Sequence, residues 1–483
     1  MNAMPANARL RLLPAALFAL ALGGCALPIA HPGARLDMPA TWAEAAARDR
    51  AASELETDWW RQFGSAELEQ LIDRALAGSP DIAVATERVL QAEIAARSAR
   101  ATLFPTINLD ARTNAGRTRE DGSTSRSEGS SAALGISYEI DVWGSNFARY
   151  EGSRYSLTST RYDYEATRLS LVSGVANAYA QILSQRARLA IAGENLAIAE
   201  RLFRIVEARY RAGAASALDV SRQRATVLSQ RDAILPLQVT ERQLVRALAI
   251  LVGETPAGFD VAGQALDPLA IPEVVPYVPA ELLVRRPDLA AAEADLAAAD
   301  ADIAVARAAL FPLKLSLTAS GNLSSGEFGF LDLANPVSTG TVAISLLQAI
   351  FDGGRLRGQV ETSESQRRVT LENYRKAVLT ALKEVDDAVA NAERSRIQEV
   401  TQREIRDERA RALRLSELRY KEGSDGLDTL LNAQSTLFSA EEALVTQRLT
   451  RLTATVDLYK ALGGGWRSDE AGAQAAGSAD PAS

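Results

Sequence analysis

Ser79-Pro80-Asp81-Ile82 opens a stretch of 27 residues that closes on Leu103-Phe104-Pro105, and Arg286-Pro287-Asp288-Leu289 opens another of equal length that closes on Leu310-Phe311-Pro312. The two stretches lie 207 residues apart without a gap. Farther on, Arg209-Tyr210-Arg211-Ala212-Gly213 with Leu218-Asp219 recurs as Arg419-Tyr420-Lys421-Glu422-Gly423 with Leu427-Asp428, at offsets of 210 and 209. The chain is a tandem duplication of one unit of about 210 residues, a duplicated domain rather than a solenoid period.

Each unit carries two kinds of pattern. Ile107, Leu109, Ala111 and Ala115 alternate with Asn108, Asp110, Arg112 and Asn114. Ala132, Leu134, Ile136, Tyr138, Ile140 and Val142 alternate with Gly135, Ser137, Glu139 and Asp141. Leu313, Leu315, Leu317 and Ala319 alternate with Lys314, Ser316, Thr318 and Ser320, and a less regular return strand runs around Thr341 to Leu347. Segments of about 9 to 11 residues with one apolar and one wet face have the dyad of tilted transmembrane strands. The polar stretches Gly116 to Ser131 and Ser324 to Thr339 read as surface loops joining them. Four strands cannot close a barrel, and an open edge in hydrocarbon leaves backbone groups unsatisfied. The chain must oligomerise, two copies giving eight strands and three giving twelve.

The remainder reads as helix. Phe147 to Ala212 and Leu356 to Glu422 are nearly free of breakers, each about 100 Å long at helical rise. They stop at Gly213 and Gly423. Returning helices run from about Ala217 to Val252 and Leu427 to Leu462, preceded in each half by Asp81 to Leu103 or Asp288 to Leu310. Pro236 should kink its helix, and its twin position holds Val445. The fold class is an α+β membrane protein, each unit a β-hairpin with a long α-helical coiled coil. The segments are 1–24 signal peptide, 25–66 lipidated N-terminal segment, 67–253 first repeat, 254–281 Pro-rich connector, 282–466 second repeat and 467–483 Ala/Gly/Ser-rich tail.

Arg9 and Arg11, an apolar run from Leu12 to Leu22 and small residues form a secretory signal too short to span a bilayer. Leu22-Gly23-Gly24-Cys25 resembles a bacterial lipobox, so Cys25, the only cysteine, is the expected lipidation site. That would leave no thiol for a disulfide or a metal. His31 is the only histidine and sits in a Pro/Gly linker, which argues against histidine catalysis or metal ligation. No P-loop and no nucleophile with a base is recognisable, so neither an enzyme nor a cofactor is expected beyond a lipid on Cys25. A net charge of -8 argues against a nucleic-acid partner.

Taken together, the lipobox, Asp58-Trp59-Trp60 with Phe63, both Pro-Asp helix starts, both Leu-Phe-Pro strand entries, both Arg-Tyr-x-x-Gly turns, Leu430 to Ser435 and Leu458-Tyr459-Lys460-Ala461-Leu462-Gly463-Gly464-Gly465-Trp466 resemble the outer membrane factor family. These are the TolC-like exit ducts, here of the NodT-type efflux lipoprotein branch. The resemblance implies a homotrimer with a twelve-stranded outer-membrane β-barrel and a periplasmic α-helical barrel. It also implies a periplasmic membrane fusion adaptor and an inner-membrane pump of RND, MFS or ABC type. Passive export of small molecules is the leading expectation. Type I protein secretion is the alternative, and a lipid-anchored coiled-coil spacer a further one. By the same resemblance, Arg209, Tyr210, Gly213, Arg419, Tyr420 and Gly423 mark adaptor docking, and Asp428, Asn432 and Asp219 a periplasmic gate, with an amide at Asn432 where relatives commonly carry a carboxylate. Alternation places Asp110, Arg112, Glu139, Asp141 and Lys314 in a barrel lumen.

Overall fold

A computed structural model describes residues 39, 42, 56–274, 279–311, 314–326, 337–347 and 350–466. Cys25, His31, the signal segment and the tail lie outside the described residues. The elements run α1 (Ala66–Gly78), α2 (Pro80–Ala101), β1 (Thr106–Glu120), β2 (Ser123–Ile140), α3 (Ser145–Arg211), α4 (Ala217–Val252), α5 (Pro287–Leu310), β3 (Lys314–Ser325), β4 (Val337–Leu347), α6 (Arg355–Lys421) and α7 (Leu427–Ala461). From α2 onward the second half repeats the first, element for element. Internal contacts divide the chain into two units, one holding Val89–Thr160 and Ala292–Tyr374, the other Arg161–Ala291, Arg375–Ser483 and Leu36–Arg88.

The first unit is organised by an antiparallel sheet of order β1-β2-β3-β4. The hairpin β1-β2 is longer than its alternating core suggests, because residues 116–131, expected as a loop, continue the strands. Glu120 pairs with Ser123 across Asp121 and Gly122, both at positive φ (47° and 83°). Asp-Gly is the dipeptide a two-residue type I′ turn requires, and the right-handed twist of that turn matches the strands. Ser, Thr and Arg on either side are compatible with a ladder, so polarity alone misplaced the loop. β2-β3 pairing ends at Ser130 with Ser325, and the hairpin continues past it as a two-stranded ribbon. Residues 327–336 of the other expected loop lie outside the described residues. Below the sheet, Trp143 stacks on Phe311 at 4.6 Å, and Arg367 pairs with the buried Asp300 at 2.5 Å.

The second unit is a helical packing with a core formed by α1, α3, α4, α6 and α7. Trp59, wholly buried, stacks on Tyr459 at 4.7 Å with Phe63 and Trp60 edge-on around it. Burial pushes the Tyr459 hydroxyl up to about 12, and the hydroxyl binds Gln62 Oε1 at 2.7 Å. The connector is fastened to both halves. Arg186 donates to the carbonyls of Val261 and Gly263 and pairs with Glu241 and Asp260, both at 2.9 Å. Arg448 donates to the carbonyls of Asp267 (2.8 Å) and Leu269 (3.2 Å) and to Glu399 (2.9 Å). Burial alone would raise the Glu399 carboxyl, but hydrogen bonds from Arg451 and Arg448 outweigh it and hold the carboxyl below its ordinary range. α4 runs unbroken from Ala217 through Pro236 to Val252, so the proline does not divide it.

Two glycines show how literally the duplication was kept. At Gly253 (φ 81°) a Cβ would stand 2.0 Å from the carbonyl oxygen of Gly78, and at its twin Gly463 (φ 86°) 1.9 Å from that of Arg285. Gly78 and Arg285 are twins as well, each just before a Ser-Pro or Arg-Pro helix start. Substitution by alanine combines left-handed strain of at least about 1 kcal/mol with a backbone collision. Gly253→Ala and Gly463→Ala should each lower the thermal unfolding midpoint, whereas Gly193→Ala, with open space around its Cβ position and an ordinary helical backbone, should not. Removal of Glu399 would take away the buried carboxylate that Arg448 and Arg451 share and leave two guanidinium groups facing each other. Glu399→Ala should cost about 3 kcal/mol in denaturant unfolding at neutral pH. Because its folded pKa is depressed, the contribution of Glu399 is complete above the ordinary carboxylate pKa of about 4.3 and is lost as pH falls through the folded value.

Candidate functional site

Two surfaces collect the residues singled out in the sequence. The first is the sheet, where register carries alternation across all four strands. Ile107, Ile136, Ala319 and Val342 form one cross-strand row, and Tyr138, Leu317 and Ile344 another. Between them runs the row Thr106, Ser137, Thr318 and Ala343, and on the other side of the first lies the row Asn108, Gly135, Ser320 and Thr341. Successive residues of a strand point to opposite sides, so one face is a continuous apolar surface and the other is polar. The apolar face is bare: Leu109 is 75% exposed and Val342 76%. A soluble sheet would cover such a surface.

Asp110, Arg112, Glu139 and Lys314 share the polar face, with Arg112 Nε paired to Asp110 Oδ1 at 2.8 Å. Asp141 does not. β2 ends at Ile140, and the Asp141 carboxylate instead accepts from the backbone N–H of Phe147 at 2.8 Å, at the start of α3. Its twin Asp352 does the same for Leu356 at 3.0 Å, so both strand-to-helix junctions use an aspartate to satisfy the first free N–H groups. Alternation continued one residue too far because helix caps and wet strand positions select the same residue type.

The second surface is the end of the second unit, where α3 turns into α4 and α6 into α7. Both turns are Schellman motifs. Ala214 N bonds Arg209 O at 2.8 Å and Gly213 N bonds Tyr210 O at 3.0 Å, while Ser424 N bonds Arg419 O at 2.9 Å and Gly423 N bonds Tyr420 O at 3.1 Å. Gly213 (φ 74°) and Gly423 (φ 78°) occupy the left-handed position that this motif demands. The guanidinium of Arg209 lies 4.5 Å from the ring centre of Tyr420 and donates to the Tyr420 carbonyl, tying the two turns together. Tyr420 is buried and its hydroxyl pKa is raised by that burial. Tyr210 is exposed, and Arg419 pairs with Asp425 at 3.1 Å.

The three acidic or amide positions separate. Asp219 closes a capping box with Ser216: its carboxylate accepts from the Ser216 backbone N–H and hydroxyl, both at 2.8 Å, and Ser216 Oγ accepts from Asp219 N at 3.1 Å. Those bonds hold the Asp219 carboxyl below its ordinary range. Asp428, exposed, pairs with Arg222 at 2.9 Å, and Asn432 is exposed one turn farther along α7. Arg222 escaped the sequence reading because its twin position holds Leu431, so the repeat gave no signal for it. The capping box was legible as Ser-x-x-Asp before an apolar run.

Residues 71–254 and 278–464 match the sequence profile described as "Outer membrane efflux protein". The chain belongs to the outer membrane efflux protein family. It is 40% identical over 463 residues to the pyoverdine export outer membrane protein OpmQ of Pseudomonas aeruginosa, covering 94% of this chain and 96% of that one. It is 34% identical to the toluene efflux pump outer membrane protein TtgC of Pseudomonas putida, over 94% of this chain and 96% of that one. The solved structure of the outer-membrane channel OprN superimposes with a TM-score of 0.80 at 28% identity, covering 91% of this chain and 99% of that one. This protein is thus an outer-membrane component of an efflux system. Its two surfaces are a sheet that suits a membrane and the paired turns of the helical unit.

Loss of the cap hydroxyl in Ser216→Ala should weaken the start of α4 by about 1 kcal/mol. Faster hydrogen exchange of residues 217–221, with the core helices unchanged, would report it. Since the Asp219 pKa is depressed, the cap's acidic half is intact at neutral pH and fails only as pH falls below the ordinary carboxylate range.

Proposed function

We propose that three copies assemble into a passive export duct in which each contributes four strands to a twelve-stranded barrel. The observation that carries this is the bare apolar face combined with two open edges: β1 and β4 each have one neighbouring strand among the described residues. In hydrocarbon those edges must be paired, and pairing β4 of one copy with β1 of the next closes a ring. Twelve strands leave a water-filled lumen, where eight would be filled by side chains. Asp110, Arg112, Glu139 and Lys314 then line the lumen, and Ile107, Leu109, Ile136 and Val342 face lipid. The helical unit, with the turns of Gly213 and Gly423, would supply the periplasmic part of the duct.

Cargo passes through without chemistry. An adaptor reading the turn ends at Tyr210, Gly213, Arg419 and Gly423, with Arg209 and Tyr420 bracing them, would hand over substrate from an inner-membrane pump. Small organic compounds are the proposed class, as the names of the pyoverdine and toluene relatives suggest. Acylation at Cys25 would add an anchor beside the barrel. Three copies each of Asp428 and Asn432 would ring the narrow end, where like charges repel one another or hold a cation. Arg222, paired with Asp428, tempers that repulsion and ties α4 to α7.

In outer-membrane vesicles, Ser137→Cys should be labelled by a water-soluble maleimide and Ile136→Cys should not. Equal labelling would contradict the assignment of the faces. Ile136→Arg near the midplane should cost about 2 to 4 kcal/mol of folding stability. In planar bilayers the purified protein should conduct, and Asp428→Ala should raise its conductance, while Ser125→Ala in the distal ribbon leaves it unchanged. A wild-type conductance for Asp428→Ala at both low and high salt would move the gate elsewhere.

A further inference from the structure

The hairpin β1-β2 runs on past the four-stranded sheet as a ribbon, and its register sorts the ribbon's charges by face. On the side that continues the apolar rows, Ala115 stands opposite Glu128, Arg117 opposite Arg126 and Arg119 opposite Thr124. The other side of the same ribbon holds only serine, threonine, asparagine and glycine, with Glu120 beside the turn. All three arginines of the ribbon therefore share the face that carries Ile107, Leu109 and Ile136 lower down. Three guanidinium groups against the one carboxylate of Glu128 leave that face with a charge of +2, where the opposite face carries -1.

Nothing in the fold of one chain asks for that arrangement. Arg117 and Arg126 lie directly opposite each other, and like charges so placed weaken a strand pair. The three arginines are exposed, and none has a carboxylate partner among the described residues. The second repeat builds its hairpin without them, since no lysine or arginine occurs between Lys314 and Arg355. Their height is informative as well. All four strands join helices at one end of the sheet, and the Asp121-Gly122 turn lies at the other. Arg117 follows Thr106 by eleven residues, which is about 36 Å along a strand and about 28 Å in height at a tilt near 40°. The apolar band of a membrane barrel is about 25 Å tall. Arg117 and Arg126 thus just clear the hydrocarbon, and Arg119 stands above them.

We infer that Arg117, Arg119 and Arg126 form a docking surface for the phosphorylated headgroup of lipopolysaccharide in the outer leaflet. With the helices on the periplasmic side, the layer at the height of the arginines is that headgroup, a glucosamine disaccharide bearing phosphates. Planar guanidinium groups match phosphate oxygens two at a time, and a phosphate set between Arg117 and Arg126 turns their mutual repulsion into two charge-assisted contacts. Acyl chains of the same lipid lie along the apolar rows beneath, so one molecule meets both parts of the face. The inference rests on the barrel reading, which puts lipid on that side, and names the lipid held there. It also accounts for the ribbon's outward charge, which a duct needs on neither its lumen nor its hydrocarbon face.

The test titrates lipid A, phosphorylated or with both phosphates removed, into the full-length protein in neutral detergent at physiological salt. Arg117→Gln, Arg119→Gln and Arg126→Gln should each weaken binding of the phosphorylated lipid roughly five-fold, the factor that about 1 kcal/mol per basic residue carries at an anionic lipid surface, and the three together roughly a hundred-fold. Wild type should bind the dephosphorylated lipid as weakly as the triple variant binds the phosphorylated one. Adding Ser123→Arg, Ser125→Arg and Ser127→Arg to the triple variant restores the net charge on the other face and should not restore binding. Equal affinity of wild type for the two lipids, equal affinity of wild type and triple variant, or rescue by the transposed arginines would each overturn the docking surface. Should the triple variant fail to insert, the three single losses decide. The maleimide contrast between Ile136→Cys and Ser137→Cys keeps the two levels apart. Where it persists and the arginines prove irrelevant, the docking surface alone fails; where it is absent with all three arginines in place, the barrel reading fails and the docking surface with it.

Discussion

An edge strand carries a row of backbone N–H and C=O groups that must find partners, and hydrocarbon offers none. This constraint governs the molecule. One chain builds a four-stranded sheet with an apolar face and two such edges, a structure that cannot persist alone in a bilayer. Every answer open to it requires another copy. Since the edges belong to different repeats, the contact runs from the second repeat to the first, and only a closed ring satisfies all of them.

Duplication supplies the rest economically. Each half repeats one plan: a helix ending at Leu-Phe-Pro, a hairpin, an aspartate that receives the chain into a long helix, a Schellman turn and a return helix stopped by a left-handed glycine. Keeping that plan preserves the geometry at Gly253 and Gly463, where no other residue fits. Some of the divergence falls where the two halves have different neighbours. Tyr420 is packed under Arg209 while Tyr210 is open, and Ser216 caps α4 while Gly426 begins α7 without a side-chain cap. The stacked Trp59 and Tyr459 and the two anchoring arginines, Arg186 and Arg448, fasten the parts outside the repeat to the helices it contributes.

Most of the fold could be read from the sequence because its signals are long. A stretch of some 66 residues without a breaker, or a dyad held over ten, survives local exceptions, and comparison of each feature with its twin averages out noise. Misreadings arose where one residue type serves two ends. Asp141 looks like a wet strand residue and is a helix cap. The serines and threonines flanking Asp121-Gly122 look like a loop and are a ribbon. The site was less legible than the fold. Arg222 and Glu399 act through partners hundreds or tens of residues away, and no local spacing announces them.

The central claim is the number of copies that closes the sheet. Native mass spectrometry of the protein released from detergent micelles counts them directly. Three chains per particle, with no population at two, is the result this account predicts. A particle of one chain would mean that the edges of β1 and β4 are satisfied in some other way, and a particle of two would mean an eight-stranded barrel filled by its own side chains. Either would contradict a water-filled duct.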